Sequence, residues 1–499
     1  MLDTTVSLIP GDSVIFRVIA DLREWAAAHG DDWRATLRLL HGKYGYDKFG
    51  GGCHMVPNHA VVLLGLLHGG DDFQRAMMIT NTAGYDTDCN AGNVGCILGA
   101  KNGLAGIDAG PDWRGPVADR LYLSAADGGR CITDALRETY EIVNAGRALA
   151  GHGPVRPKGG ARFHFTLPGS VQGFGAEESA EVRGTVTMQH DAGRLALRLH
   201  GLAPGRAARA ATATFTPPDA LGMPHYTMVT SPTLYSGQTV TASLLAGPDL
   251  SGPVTVSLYA RVYDMDDKLT LVRGPQSVLS PGSGLPLEWT TPDTGGYPIA
   301  EIGIEARAEH LTAGTLYLDS LTWAGPPSVK FQRPKEGGST WQRAWVNATG
   351  EAHFGGASAD RYFSLADNTQ TGLALIGEWS WSDYTVSTEV FPRLCRRAGL
   401  VAGVRGLRRY VALVLDEDRR VRLIQEQDGE RRILAEFQAA WTYESPYPLA
   451  LSIRAGHVSG RFGEETLEAA LPDWDGAGAV GLLIDKGIAE FGPVTVSPL

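Results

Sequence analysis

Cysteine is scarce in this chain. There are five in 499 residues (Cys53, Cys89, Cys96, Cys131 and Cys395), an odd number with no Cys-x-x-Cys pair. That argues against a disulfide framework and against a structural zinc site of the usual thiolate spacing. Positive charge is in the minority, with 44 Lys and Arg against 55 Asp and Glu and a net charge of −11. Such a balance does not suit the coating of nucleic acid or of an anionic membrane, so neither is expected as a partner. No apolar run reaches the roughly 20 residues of a membrane-spanning helix. The opening MLDTTVSLIPGDSV lacks the basic stretch and apolar core of a signal peptide. A soluble protein is expected, cytoplasmic or secreted according to whatever precedes Met1.

Disorder is excluded as well, because 43 % of the residues are apolar and only 20 % charged. Glycine is abundant, at 63 residues, yet follows no three-residue period and so does not indicate collagen. At about 150 residues per domain the length predicts three domains.

Two textures divide the chain. Val14, Ile15, Val18, Ile19, Leu22 and Trp25 recur at three- and four-residue spacing, which predicts a helix with one buried stripe, ended by Gly30. Further helices are expected over Asp32 to Leu40, from Pro57 through Ala60, Val61, Leu64 and Leu67, and over Asp72 to Asn81. A last one carries Leu136, Tyr140, Val143 and Leu149, with Thr133 as its cap. After the linker-like GHGPVRPKGG (Gly151 to Gly160), short alternating runs take over, such as RLALRLH, PVTVSLYARVY and TLYLDSLTW. Period-two alternation predicts sheets with one buried and one wet face. A second break falls at Gly325 to Ser339, and RYVALVL and VRLIQ continue the strand pattern beyond it. The fold class is therefore multidomain: an all-α domain over residues 1–155, then all-β sandwich or jelly-roll domains over 160–328 and 335–499.

The densest chemistry lies in AGYDTDCNAGNVGCILGAKNGLAG, Ala83 to Gly106. Asp86 and Asp88 stand one residue apart and are followed by Cys89 and Asn90. Acidic residues at a helix start can cap its free N–H groups and complement its dipole. Alternatively, two carboxylates grip Mg²⁺ or Mn²⁺, ions that prefer oxygen. Ala91, Gly95, Gly99 and Gly103 recur every fourth residue and would form a smooth ridge open to close approach. His54, Asn58 and His59 either line a cleft or serve as helix-start polar groups. Asn90 is placed to orient an aspartate as a neighbouring amide.

The block Pro57 to Gly103, with DFQRAMMITNTAG leading into GYDTDCNAGNVGCILGAKNG, resembles the C-terminal half of the ADP-ribosylglycohydrolase family. The resemblance implies an all-helical fold holding two divalent ions, usually magnesium, and hydrolysis at the anomeric carbon of ADP-ribose. The family motif reads Gly-Gly-Asp-Thr-Asp-Thr in many members. Matched by position, Asp86 and Asp88 are ion ligands, Cys89 stands where a threonine would, and Tyr85 replaces a motif glycine. The family's first metal cluster and its acidic residue implicated in chemistry have no counterpart upstream here. The resemblance thus covers half a domain, about residues 1–150, and no catalytic residue is identifiable. The expectation is that an N-terminal region or a partner subunit completes the site.

Residues 160–328 resemble galactose-binding-like jelly rolls, above all in TLYLDSLTWAG, and residues 340–499 resemble concanavalin- or laminin-type sandwiches. If these bind glycans, Trp379, Trp381 and Tyr384 in GEWSWSDYT, with Trp341 and Trp345, are candidates to stack on sugars. A core stripe explains them equally well. Asp319 is a candidate ligand for a structural Ca²⁺, and Asn347 formally opens a glycosylation triplet. The expected function is metal-dependent hydrolysis of an ADP-ribosyl or furanoside-type bond, with an ADP-ribosyl compound or a glycan or glycoside as partner. The alternative is a non-catalytic carbohydrate-binding protein carrying a vestigial hydrolase fragment.

Overall fold

The computed structural model describes residues 2–123, 128–223, 228–358, 361–472 and 474–499. The chain divides into two compact units, Met1–Val117 and Ala118–Leu499.

The first unit is helical. After the short α1 (Leu2–Val6) come α2 (Val14–His29), α3 (Trp33–Tyr44), α4 (Met55–Gly69), α5 (Phe73–Thr82) and α6 (Thr87–Ile107). Side chains of Ser13, Asp32 and Asp72 accept from the backbone N–H three residues on and start α2, α3 and α5. The apolar stripe of α2 is buried through Val18, Ile19 and Leu22, against Leu40 and Tyr44 of α3 and Val61 and Leu64 of α4.

The glycines of α6 do not form the expected seam. A Cβ added at Gly95 would lie 3.6 Å from the Met77 sulfur, and one at Gly99 would lie 3.5 Å from Ile107, both ordinary contacts. Gly103 is not helical at all, with φ of 64°. The tight approach occurs between α4 and α5, where a Cβ on Gly65 would strike Thr80 and one on Gly69 would strike Ala76.

In the second unit a strand pair, Arg120–Tyr122 with Ile132–Asp134, leads into α7 (Ala135–Leu149). The cap of α7 is Asp134 and not Thr133, which the antiparallel pairing holds in the strand. Two five-stranded sheets follow. One runs Gly284–Thr290, Thr239–Ala246, Thr312–Ala324, Arg194–Leu202, Val186–Asp191 in space. The other runs Gly175–Ala176, Ala207–Ala213, Ile299–Arg307, Val254–Tyr263, Leu269–Leu279, and every neighbouring pair described is antiparallel. Leu195, Leu197, Leu199, Val256, Leu258, Ile302 and Ile304 fill the space between them.

The expectation of one wet face fails for Val254–Tyr263, which is buried on both sides except at Thr255 and Arg261. Its outer neighbours include Glu305 and Arg209, 1 % and 2 % exposed, held together by a hydrogen bond of 2.5 Å. Arg273 and Arg307 close the same cluster on Glu305. Pairing makes such buried charges tolerable.

The remaining strands form one continuous hydrogen-bonded assembly built on Tyr384–Val404. Its beginning pairs with Tyr447–Arg454 and Val494–Pro498, and its end with Arg409–Asp416 and Ala479–Phe491. The shift of register at Pro392/Leu394 lets one strand serve two layers. The stretch expected to be a break, Gly325 to Ser339, contains Val329–Phe331, which pairs with Val494–Val496. Asp267 accepts from the backbone N–H groups of Ser339 (2.8 Å) and Thr340 (2.9 Å). Phe215, Tyr235 and Tyr263 share an apolar cluster with Trp381 and Tyr384, so the all-strand segments meet in buried apolar contact beside the separate core between the two five-stranded sheets.

Candidate metal centre

Between α5 and α6 the chain passes through Gly84 and Tyr85 with φ of 83° and 63°. Two successive left-handed residues turn the backbone sharply and deliver Asp86 to the start of α6. Ser13, Asp32, Asp72 and Asp134 all cap their helices through the side chain, but Asp86 makes no such bond. Its carboxylate turns instead to Asp88 and Cys89. One donor atom from each of the three residues lies within 4.8 Å of the others, with Asp86 half-buried and Asp88 and Cys89 exposed. Positions 86 and 89 share a helix face by their three-residue spacing.

Asn58 of α4 fixes this turn from behind. Its Oδ1 accepts from the Asp86 backbone N–H at 3.0 Å and from Asn90 Nδ2 at 2.9 Å. Its Nδ2 donates to the Tyr46 hydroxyl at 2.9 Å and to the His54 carbonyl at 3.0 Å. Both asparagines are buried. The Asp86 side chain, with backbone N–H groups at Cys89 and Asp88, holds the Asp88 carboxyl below the usual carboxylate range. A hydrogen bond to Asp86 and the charges of both aspartates push the Cys89 thiol up.

The imidazoles of the two nearby histidines take no part in these bonds. His54 starts α4, with Nδ1 accepting from Val56 N–H at 3.2 Å. His59 buries its Nε2 without a hydrogen-bond partner, and burial pushes its pKa down.

Three residues beside the centre were not anticipated: His41, Tyr46 and Tyr85. The Tyr85 hydroxyl lies 2.6 Å from His41 Nδ1, the two rings stack at 5.0 Å, and Tyr46 meets Tyr85 edge-on at 4.7 Å. With Gly45 and Asp47 they line a surface pocket of about 350 Å³. The available signal was the tyrosine at a motif position usually occupied by glycine.

The stacking candidates are corrected by their burial. Trp381 and Tyr384 are 0 % exposed, Trp341 is 3 % and Trp345 is 4 %, because large rings fill the space between layers. Tyr235 packs edge-on to Trp381 at 4.8 Å, and Trp345 lies against Phe363 at 4.8 Å. Trp379 is half-buried beneath the Arg130 guanidinium, 4.9 Å from its ring centre. At Asp319 a cation is already present: Lys158 Nζ lies 2.8 Å from its carboxylate and also donates to two backbone carbonyls. The exposed Asn347 accepts from Thr349 within its own turn.

Among the described residues, Asp86, Asp88 and Cys89 are the only close group of three potential ligands. Two convergent carboxylates suit a divalent cation. The sulfur is a softer donor than the threonine oxygen that the resemblance implies at this position.

The model of the ADP-ribosylglycohydrolase family matches residues 1–145. No curated protein matches the chain. Among solved structures, the carbohydrate binding module CBM66 from Bacillus subtilis aligns at 14 % identity and a TM-score of 0.28, over 31 % of this chain and 94 % of that one. A Bacillus subtilis protein of unknown function with a galectin-like fold aligns at 12 % identity and 0.26, over 32 % and 91 %. Galectin LEC-6 of Caenorhabditis elegans aligns at 11 % identity and 0.20, over 23 % and 83 %.

Proposed function

We propose that the helical unit is the metal-binding part of a hydrolase acting at an anomeric carbon, with an ADP-ribosyl compound or a furanoside-type glycoside as substrate. The observation that carries this reading is the convergence of Asp86, which is not spent on a side-chain cap, with Asp88 inside the segment matched by the ADP-ribosylglycohydrolase model. Asp86 and Asp88 hold a divalent ion, Mg²⁺ in the family's usual form or Mn²⁺ with the same preference for oxygen. Such an ion, when bound, polarises a sugar or phosphate oxygen and lowers the pKa of a water.

The chain's own residues position the reactants. Asn58 and Asn90 lock the turn that aims Asp86. Tyr46 and Tyr85 offer ring surfaces for a base or a sugar beside the ion, and the bond between the Tyr85 hydroxyl and His41 fixes that ring. The β-rich unit, in this reading, brings the helical unit to a glycan-bearing target.

Calorimetric titration of the full chain with Mg²⁺ and Mn²⁺ tests the proposal. Binding is expected in the wild type and lost in both Asp86→Ala and Asp88→Ala. A wild type that binds no divalent ion, but retains a glycan, would replace this reading with that of a carbohydrate-binding protein carrying a helical remnant.

A further inference from the structure

We propose that Cys89 joins Asp86 and Asp88 as a thiolate ligand, so that the centre selects a thiophilic divalent ion of the zinc type over magnesium. The inference rests on the reading that the two aspartates hold an ion, and it adds the identity of that ion.

The geometry comes first. The sulfur and one oxygen from each carboxylate already lie within 4.8 Å of one another. A tetrahedral ion with oxygens at about 2.1 Å and sulfur at about 2.3 Å needs its donors about 3.5 Å apart. The exposed side chains of Asp88 and Cys89 can close that difference by rotation about χ1, with no movement of the helix. The backbone beneath them is held in place, because Asn58 binds the Asp86 N–H and the Asn90 side chain together.

Donor chemistry then decides between ions. Magnesium takes oxygen and keeps several waters, so a hydroxyl at this position would suit it. A thiolate adds little for magnesium but binds zinc or cobalt strongly. Cys96, also exposed and further along α6, lies outside the group of converging donors and provides an internal control.

The test uses the metal-stripped full chain with Co²⁺ as a spectroscopic probe. One equivalent is expected to produce a near-ultraviolet thiolate-to-cobalt charge-transfer band. The band should disappear in Cys89→Ser and persist in Cys96→Ser. Zn²⁺ should displace the cobalt, whereas a large excess of Mg²⁺ should not, and Cys89→Ser should lower the preference for Zn²⁺ over Mg²⁺ by about tenfold or more. Cobalt bound without the band, or a band that survives Cys89→Ser, would overturn thiolate ligation while leaving the two-carboxylate ion site standing. If calorimetry finds no binding of Co²⁺, Zn²⁺ or Mg²⁺, both readings fall together.

Discussion

The side-chain oxygen of Asn58 accepts from the backbone N–H of Asp86, 28 positions later, at 3.0 Å. That single oxygen also receives Asn90, so the residue aiming the first carboxylate is held by an amide on a different helix. Asn58→Ala would leave the Asp86 N–H and the Asn90 amide without their acceptor. Each lost buried partner costs about 1–3 kcal/mol. Hydrogen exchange on the full chain should show the Asp86 amide losing protection, together with weaker ion binding. Asn58→Asp keeps the acceptor and is expected to retain more of both. Equal protection in the wild type and the alanine variant would show that the turn is held by other means.

Tyr85 sits at φ of 63°, a backbone conformation that costs a non-glycine residue about 1–2 kcal/mol. Tyr85→Gly removes that cost and also removes the ring packed between His41 and Tyr46. Stability is therefore expected to change by less than about 1 kcal/mol, as the two effects offset. Binding of an ADP-ribosyl or pentosyl ligand should weaken clearly, and Tyr85→Phe should keep most of it. A glycine variant that binds such ligands as well as the wild type would remove the ring from the site.

Glycines in the helical unit separate into two groups that thermal melts can tell apart. Gly65 faces Thr80 with no room for a Cβ, so Gly65→Ala should destabilise by about 1–3 kcal/mol through overpacking. Gly95 and Gly99 have ordinary clearance, and alanine at either should be neutral or stabilising by up to about 1 kcal/mol. The opposite ranking would restore the glycine ridge of α6 as the close-packed seam.

What could be read from the chain follows the range of the interaction responsible. Asp32 and Asp72 were legible as helix starts because a cap acts over three residues. Asp86 and Asp88 were legible as a motif, but Asn58 could be read only as a cleft-lining residue or a helix-start polar group, and not as the anchor of Asp86, since that partner lies on another element. Thr133 looked like a cap until a strand pairing with Arg120–Tyr122 moved the helix start to Asp134. Trp381 could be read as a ring for stacking on sugar or as core. Its contact with Tyr235, far upstream, decides for core, and local texture carries no trace of it.

His164 is expected to make the second unit sensitive to mild acid. It is 4 % exposed, and burial, with the Lys158 charge behind it, pushes its pKa down to about 4. In the unfolded chain it titrates near 6.5. Between those values the unfolded state holds a proton that the native state does not, so stability falls as pH drops through this window. The full effect is at most about 3 kcal/mol. Glu305 and Asp267 act lower. Burial alone would raise both, but arginines 273, 307 and 209 hold Glu305 at about 2, and hydrogen bonds from Ser339 and Thr340 do the same for Asp267. Their contribution is present above the ordinary carboxylate range and is lost only as pH falls toward 2. Asp134 and Glu301, raised by burial, act in the opposite sense to all three. Denaturant unfolding of the second unit in wild type and His164→Gln, at about pH 7 and about pH 5, isolates the histidine because the other groups are common to both. The variant should lose less stability on acidification. An identical loss in both proteins would assign the acid sensitivity to the carboxylates.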